Sequence, residues 1–102
     1  MAKLLVMYAK PNDVTHFTRY FRQKHIPLVK KLPGLRSCTF GLVGQVGDAQ
    51  QSSFFWVFEG IYDSIDSIQR SHESPEGKAV MADIPNFSPS MPTQMSVDVV
   101  ED

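Results

Sequence analysis

Four segments of the chain are rich in apolar residues and lack a helical period, which is typical of β-strands. The first is apolar at almost every position, as in a strand buried on both faces, and it ends at the breaker residues Lys10 and Pro11. The second and third flank residues 46–51 and predict a hairpin with a long loop. The fourth alternates apolar and polar residues, as a half-buried strand does. These predicted strands are residues 3–9, 35–45, 53–62 and 94–99.

The segment after the first strand has helical periodicity instead. Pro27 lies within it and removes a backbone hydrogen bond, so the helix is predicted to kink or restart near His25. Pro33 and Gly34 then end it. The apolar residues from Asp13 onward recur at helical spacing on one face, which comprises Val14, Phe17, Phe21, Leu28 and Leu32.

A second helix is predicted after the hairpin, capped by Asp63 or Ser64. It is broken at Ser74, which can cap a new helix that starts with Pro75. The order strand, helix, strand, strand, helix, strand is that of the α+β ferredoxin-like fold, in which a four-stranded antiparallel sheet carries both helices on one face. We therefore predict one such domain over residues 1–102.

The face of the sheet that the helices do not cover indicates how two chains could assemble. Two helices cover one face only, yet the first and third predicted strands carry apolar side chains on both faces. We expect a homodimer in which the two uncovered faces pack together as a dimeric α+β barrel. The alternative is a monomer whose long loops, especially residues 84–92, cover the face.

Composition narrows the classes of partner. Ten Lys and Arg residues against eleven Asp and Glu leave a formal net charge of -1, so we expect neither a nucleic-acid partner nor an anionic membrane surface. The single cysteine, Cys38, cannot form an internal disulfide, and no signal peptide or membrane span is apparent. These features favour a cytoplasmic protein.

His25 is the candidate catalytic residue. It lies about 20° from the axis of the apolar face of the first helix, so its ring should point toward the sheet. A neutral imidazole in an apolar cavity can act as a general base or donate a hydrogen bond to an oxygen. The alternative is a core histidine whose two nitrogens are satisfied by backbone groups or water.

A pocket beside His25 would have apolar walls and a few polar groups. Between the first helix and the sheet we expect a substrate-binding set of Tyr8, Trp56, His72, Met81 and Phe87, although each could instead be a core or partly exposed residue. No metal is expected, because His16 and His25 fall on opposite faces of one helix and no ligand spacing completes a set. No organic cofactor is expected either, because a phosphate loop and a dinucleotide motif are both missing.

Two longer stretches resemble the EthD family. The front half runs through His25-Ile26-Pro27-Leu28 to Pro33-Gly34-Leu35, and the back half is carried by residues 74–80 and 82–87. The resemblance implies a dimeric α+β barrel and assigns the family histidine to His25. The family is named after ethyl tert-butyl ether degradation, where its member accompanies an oxidation system, and its structural relatives include cofactor-free monooxygenases, muconolactone-type isomerases and polyketide cyclases.

Three functions remain open from the sequence. The first is a cofactor-independent oxidoreductase in the catabolism of small hydrophobic organic compounds, with His25 in the pocket. The second is an isomerase, lyase or cyclase that uses the same histidine on muconolactone- or polyketide-type substrates. The third is a non-catalytic protein that binds a hydrophobic organic ligand or supports a partner oxygenase.

Overall fold

The chain folds into one four-stranded antiparallel sheet with its helices on one side, in a computed structural model that describes residues 1–101. The strand order is β2-β3-β1-β4, which is the predicted ferredoxin-like arrangement. The strands are β1 (Ala2–Ala9), β2 (Ser37–Leu42), β3 (Phe54–Tyr62) and β4 (Thr93–Asp98). The helices are α1 (Val14–Tyr20), α2 (Ile26–Val29), α3 (Ile65–Glu73) and α4 (Pro75–Asp83). No helix within residues 1–101 is long and apolar enough to cross a membrane.

The hairpin is present, with a second strand shorter than predicted. β2 pairs with β3 from Ser37 to Leu42, whereas the apolar pattern ran from residue 35 to 45. Gly34 has a φ of 81°, in the left-handed region that favours glycine, so the chain is still turning just before the strand begins. Residues with strand-like composition at both ends of β2 therefore lie in turns and loops.

The first helix is interrupted near the predicted kink, over a full turn rather than at one residue. Residues Phe21–His25 form a π-helical turn between α1 and α2, and the amide of Ile26 donates to the carbonyl of Phe21, five residues earlier. Pro27 cannot donate a backbone hydrogen bond, so the chain restarts as α2 around it. Phe21 and His25 both point into the core, where they are buried.

The break between α3 and α4 is confirmed, and Ser74 forms it. Its hydroxyl donates to the carbonyl of Ser71 at 2.6 Å and accepts from the amide of Gly77 at 3.0 Å. One side chain thus ends α3 and caps α4. Ser64 caps the start of α3 by accepting from the amide of Ser67 at 3.1 Å.

The two faces of the sheet differ in burial. The buried residues of β1 are Ala2, Val6 and Tyr8, which face the helices, whereas Leu5 and Met7 on the other face stay partly exposed. Within one chain, β1 is therefore not buried on both faces. β4 is exposed at every position rather than half-buried, because it is an edge strand and nothing in residues 1–101 covers its second face.

The segment expected to cover that face in a monomer lies elsewhere. Ile84–Asn86 form a 3₁₀ turn, and Ile84 and Phe87 join the main core on the helix side, against Tyr8 and Phe17. The apolar residues Leu5, Met7 and Val57 therefore remain partly open on the other side.

We expect Gly77→Ala to destabilise the fold. A Cβ at this position would collide with the carbonyl oxygens of Ser71 and His72, which belong to the backbone and cannot move aside cheaply. The free energy of unfolding should fall by about 2 kcal/mol, and Tm by roughly 10 °C, in thermal denaturation followed by circular dichroism. Lys78→Ala, an exposed change on the same helix, is the matched control and should leave Tm almost unchanged. Equal Tm values for the two variants would contradict this account of the helix break.

Candidate active site

His25 is paired with a carboxylate that the sequence did not single out. Its Nδ1 lies 2.9 Å from Oδ2 of Asp83, 58 residues away in the chain. His25 ends the π-helical turn and Asp83 ends α4, so the contact joins the first helical segment to α4. Because a carboxylate only accepts, Nδ1 carries the hydrogen and donates it to Asp83. A neutral ring then keeps its lone pair on Nε2.

Asp83 is held by two further donors. The hydroxyl of Tyr20 donates to Oδ1 at 2.7 Å, and the side-chain amide of Asn86 donates to the same oxygen at 2.9 Å. Burial alone would raise the pKa of Asp83, but hydrogen bonds from Tyr20, Asn86 and His25 lower it below its ordinary value. Asp83 is therefore an ionised carboxylate at neutral pH.

The imidazole is neutral beside this charge. Burial lowers the pKa of His25 below its ordinary value of 6.5, and this effect outweighs the opposing hydrogen bond and charge of Asp83. The contact at neutral pH is thus a hydrogen bond from a neutral ring to a carboxylate, and Nε2 is available as a proton acceptor.

Two further polar atoms belong to residues that line the same cavity, namely Nε2 of His25 and the hydroxyl of Tyr8. Neither has a hydrogen-bond partner in residues 1–101, and neither is fully enclosed, because Nε1 of Trp56 is the one fully buried unpartnered side-chain nitrogen or oxygen in that range. Both rings pack on Phe21 and Phe87, with centroids 5.3 and 4.6 Å away for His25 and 5.9 and 5.6 Å away for Tyr8. The rings of His25 and Tyr8 therefore pack against the same two phenylalanine side chains.

Tyr8 stays protonated in this setting. Burial raises the pKa of its hydroxyl above the ordinary value of 10.0, and the negative charge of Asp83 raises it further. The Tyr8 hydroxyl is thus a hydrogen-bond donor throughout the neutral pH range.

A cavity of about 200 Å³ adjoins these two groups. Its inner wall includes Tyr8, Phe21, His25 and Ile84, which are all buried. The exposed residues of its lining come from α3 and β4 alone, so the cavity opens between that helix and the edge strand. They are Gln69, His72, Gln94, Met95 and Ser96.

The structure brings three of the predicted site residues to this cavity, which are Tyr8, His25 and His72. Trp56 does not line it, although it lies opposite Tyr8 on β1 as well as Leu42 on β2, and its ring packs against Phe17, Phe21 and Phe40 instead. Phe87 and Met81 are not on its wall either. Phe87 instead packs behind His25, and the sulfur of Met81 lies 3.4 Å from the amide nitrogen of Gln94.

Sequence reasoning missed Asp83 and its donors Tyr20 and Asn86. One signal was available, because Asp83 is the last residue of α4, where the partial negative charge of a helix C-terminus disfavours an acidic side chain. Its pairing with His25 could not be deduced, since no short spacing connects them.

The remaining histidine of the first helix, the cysteine and the possible metal ligands do not form a second site in residues 1–101. Nε2 of His16 lies 3.0 Å from the carbonyl oxygen of Asn86. Cys38 is half-buried, and burial raises the pKa of its thiol. No three His, Cys, Asp or Glu side chains within residues 1–101 are grouped so that they could hold a metal ion.

The lowered pKa of His25 predicts a pH dependence of stability. The unfolded chain gains a proton at His25 below pH 6.5, whereas the folded chain gains it only at lower pH. The free energy of unfolding should therefore fall as pH drops from 6.5 to the folded-state pKa. Urea denaturation at pH 7.5, 6.5, 5.5 and 5.0 measures this slope, and His25→Gln should flatten it. An unchanged slope in His25→Gln would contradict the assignment of a neutral, buried ring.

Known proteins are similar to this chain in sequence and in fold. The model of the EthD domain matches residues 10–90. The crystal structure of an EthD family protein from Bacillus halodurans is 30% identical, covers 98% of this chain and 99% of that chain, and has a TM-score of 0.86. An uncharacterised 11.0 kDa protein from the thcB-thcC intergenic region of Rhodococcus erythropolis is 26% identical over 98 residues, or 96% of this chain and 94% of its own length.

More distant structures share the fold alone. SnoaB, a cofactor-independent oxygenase from Streptomyces nogalater, is 10% identical with a TM-score of 0.67, over 99% of this chain and 94% of that one. A dimeric ferredoxin-like protein of unknown function from Thermobifida fusca is 13% identical with a TM-score of 0.65, over 96% and 89%. Since the domain model spans most of the sequence and the Bacillus structure superposes over nearly all of it, this chain belongs to the EthD family.

Proposed function

We propose that this chain is a cofactor-independent oxidoreductase for small hydrophobic organic compounds, with His25 as the proton acceptor. One observation carries the proposal: Asp83 fixes Nδ1 of His25, and Nε2 has no partner in residues 1–101 where the ring adjoins an apolar cavity. A buried base whose ring is oriented by a carboxylate is an arrangement that favours general-base catalysis.

Proton transfer in this arrangement starts from neutral partners. A hydroxyl of the bound compound gives its proton to Nε2 of His25, and the positive charge that forms on the ring lies beside the carboxylate of Asp83. Burial of that pair strengthens their attraction relative to water. In this proposal the Tyr8 hydroxyl donates to the oxygen that becomes negative, so the new charge also has a partner.

Dioxygen is the proposed oxidant. Support for this choice comes from SnoaB, a fold neighbour that is a cofactor-independent oxygenase. For a probe such as 1-naphthol, the deprotonated ring reacts with O₂ at the carbon para to its oxygen, and a C–O bond forms there. The O–O bond then breaks, one oxygen remains in 1,4-naphthoquinone and the other leaves as water. The ring loses four electrons and O₂ gains four.

Replacing the base should abolish this reaction. We expect His25→Gln to lower kcat for dioxygen uptake by at least about 100-fold, because general-base catalysis contributes about 10²–10⁴ to the rate. An oxygen electrode with a panel of phenols and hydroquinones, including 1-naphthol, measures the effect. His16→Gln is the matched control, since it removes another histidine of the first helix that lies outside the cavity.

Two outcomes would contradict the proposal. Equal rates for His25→Gln and the wild-type protein would show that the base lies elsewhere. Binding of the probes without any dioxygen uptake by the wild-type protein would favour the non-catalytic ligand-binding function instead.

We also propose that the protein is a homodimer through the uncovered face of the sheet. Leu5, Met7 and Val57 are partly exposed there, with Met95 45% and Val97 36% exposed on the adjoining edge strand. An apolar face of this kind is typical of an interface between subunits. The dimeric state of the Thermobifida fusca neighbour supports this assembly.

Sedimentation equilibrium tests the assembly. The wild-type protein should have twice the 11.5 kDa mass of one chain at micromolar concentration. Val57→Glu should shift it to the monomer, because two carboxylates would be buried between the sheets. Val14→Glu makes the same change on the helical side and should remain dimeric. A wild-type monomer, or a dimeric Val57→Glu variant, would overturn the proposal.

A further inference from the structure

The cavity carries no charged side chain of its own. Within residues 1–101, no Asp, Glu, Lys or Arg contributes to its lining. The carboxylate of Asp83 lies behind His25, outside the lining, and is engaged by Tyr20, Asn86 and His25. A ligand inside the cavity therefore meets no Lys or Arg side chain, and the negative charge of Asp83 lies behind the His25 ring.

This charge distribution discriminates between ligands. An anion that enters would lose its water, gain no positive partner and be repelled by Asp83. A neutral ligand pays no such penalty. If its hydroxyl proton passes to His25 after binding, the total charge of the site is unchanged, because the new anion and the new imidazolium appear together.

The polar atoms define what a neutral ligand should present. Nε2 of His25 accepts a hydrogen bond and the hydroxyl of Tyr8 donates one. A ligand hydroxyl offers both complementary functions, since it can donate to Nε2 and accept from the Tyr8 hydroxyl. The walls around them, including Phe21, Phe58 and Ile84, are apolar and buried.

The volume of the cavity limits the size of the apolar part of the ligand. An apolar cavity of about 150 Å³ holds a benzene molecule. The present cavity, at about 200 Å³ with a mouth between α3 and β4, has room for a substituted ring or for two fused rings.

We propose that the cavity selects uncharged hydroxyaromatic compounds of one or two rings and rejects carboxylates of the same shape. The inference rests on the proposed function only in taking this cavity as the ligand site. It adds the substrate class, and it assigns to Tyr8 the recognition of the ligand hydroxyl.

Equilibrium dialysis under anaerobic conditions at pH 7 tests the selectivity without turnover. The probes are 1-naphthol, naphthalene and 1-naphthoate, which share a ring system and differ in one substituent. We expect 1-naphthol to bind about tenfold more tightly than naphthalene, and 1-naphthoate to bind at least about 30-fold more weakly than 1-naphthol. Binding of 1-naphthoate as tight as that of 1-naphthol would overturn the inference.

Two tyrosine variants test the role of Tyr8. Tyr8→Phe removes a hydroxyl that has no partner in residues 1–101, so the fold should persist while the preference for 1-naphthol over naphthalene falls about fivefold. Tyr62→Phe is the matched control, because Tyr62 lines the same cavity but its hydroxyl is already bonded to Oγ of Ser71 at 2.9 Å. This control should keep the wild-type preference. An unchanged preference in Tyr8→Phe would overturn the assignment of Tyr8.

The results also separate this inference from the proposed oxidation. Selective binding of 1-naphthol without dioxygen uptake would uphold the substrate class and overturn the oxidation. Dioxygen uptake on hydroxyaromatic probes, together with equal affinity for all three naphthalene compounds, would uphold the oxidation and overturn the substrate class.

Discussion

Asp83 keeps a negative charge where little water reaches it, and the arrangement around the cavity follows from compensating that charge. Its side chain is 11% exposed, so hydrogen bonds must replace most of its hydration. Donors come from Tyr20 in α1, His25 in the π-helical turn and Asn86 in the 3₁₀ turn. Satisfying one carboxylate therefore fixes how α4 lies against the first helical segment, the orientation of the imidazole and the nitrogen that remains free.

The elements of the fold could be predicted because each has a local cause. Apolar runs without a helical period mark the strands, a period of 3.6 marks the first helix, and Ser74 with Pro75 marks the break between α3 and α4. The inward direction of His25 follows from its angle on the helix. The π-helical turn was harder to predict, because Pro27 requires an interruption of the helix but does not determine how long that interruption is.

The site was harder to predict because its residues are joined only by tertiary packing. Alternation along β3 tells which face of the sheet Trp56 occupies, but not that the cavity lies toward β4 rather than β2. The same limit applies to Phe87, which is close to His25 yet behind it. Asp83 and His25 are 58 residues apart, and only the packing of α4 against the first helix brings them together.

The cavity combines a constrained inner end with an unconstrained mouth. Tyr8, Phe21 and His25 also build the core, so most substitutions there would cost stability. His72 and Ser96 at the mouth are exposed, and substitutions at such positions usually change stability little. Evolution can therefore alter which compounds enter without rebuilding the acid–base pair, and family members with different substrates are expected to diverge first along α3 and β4.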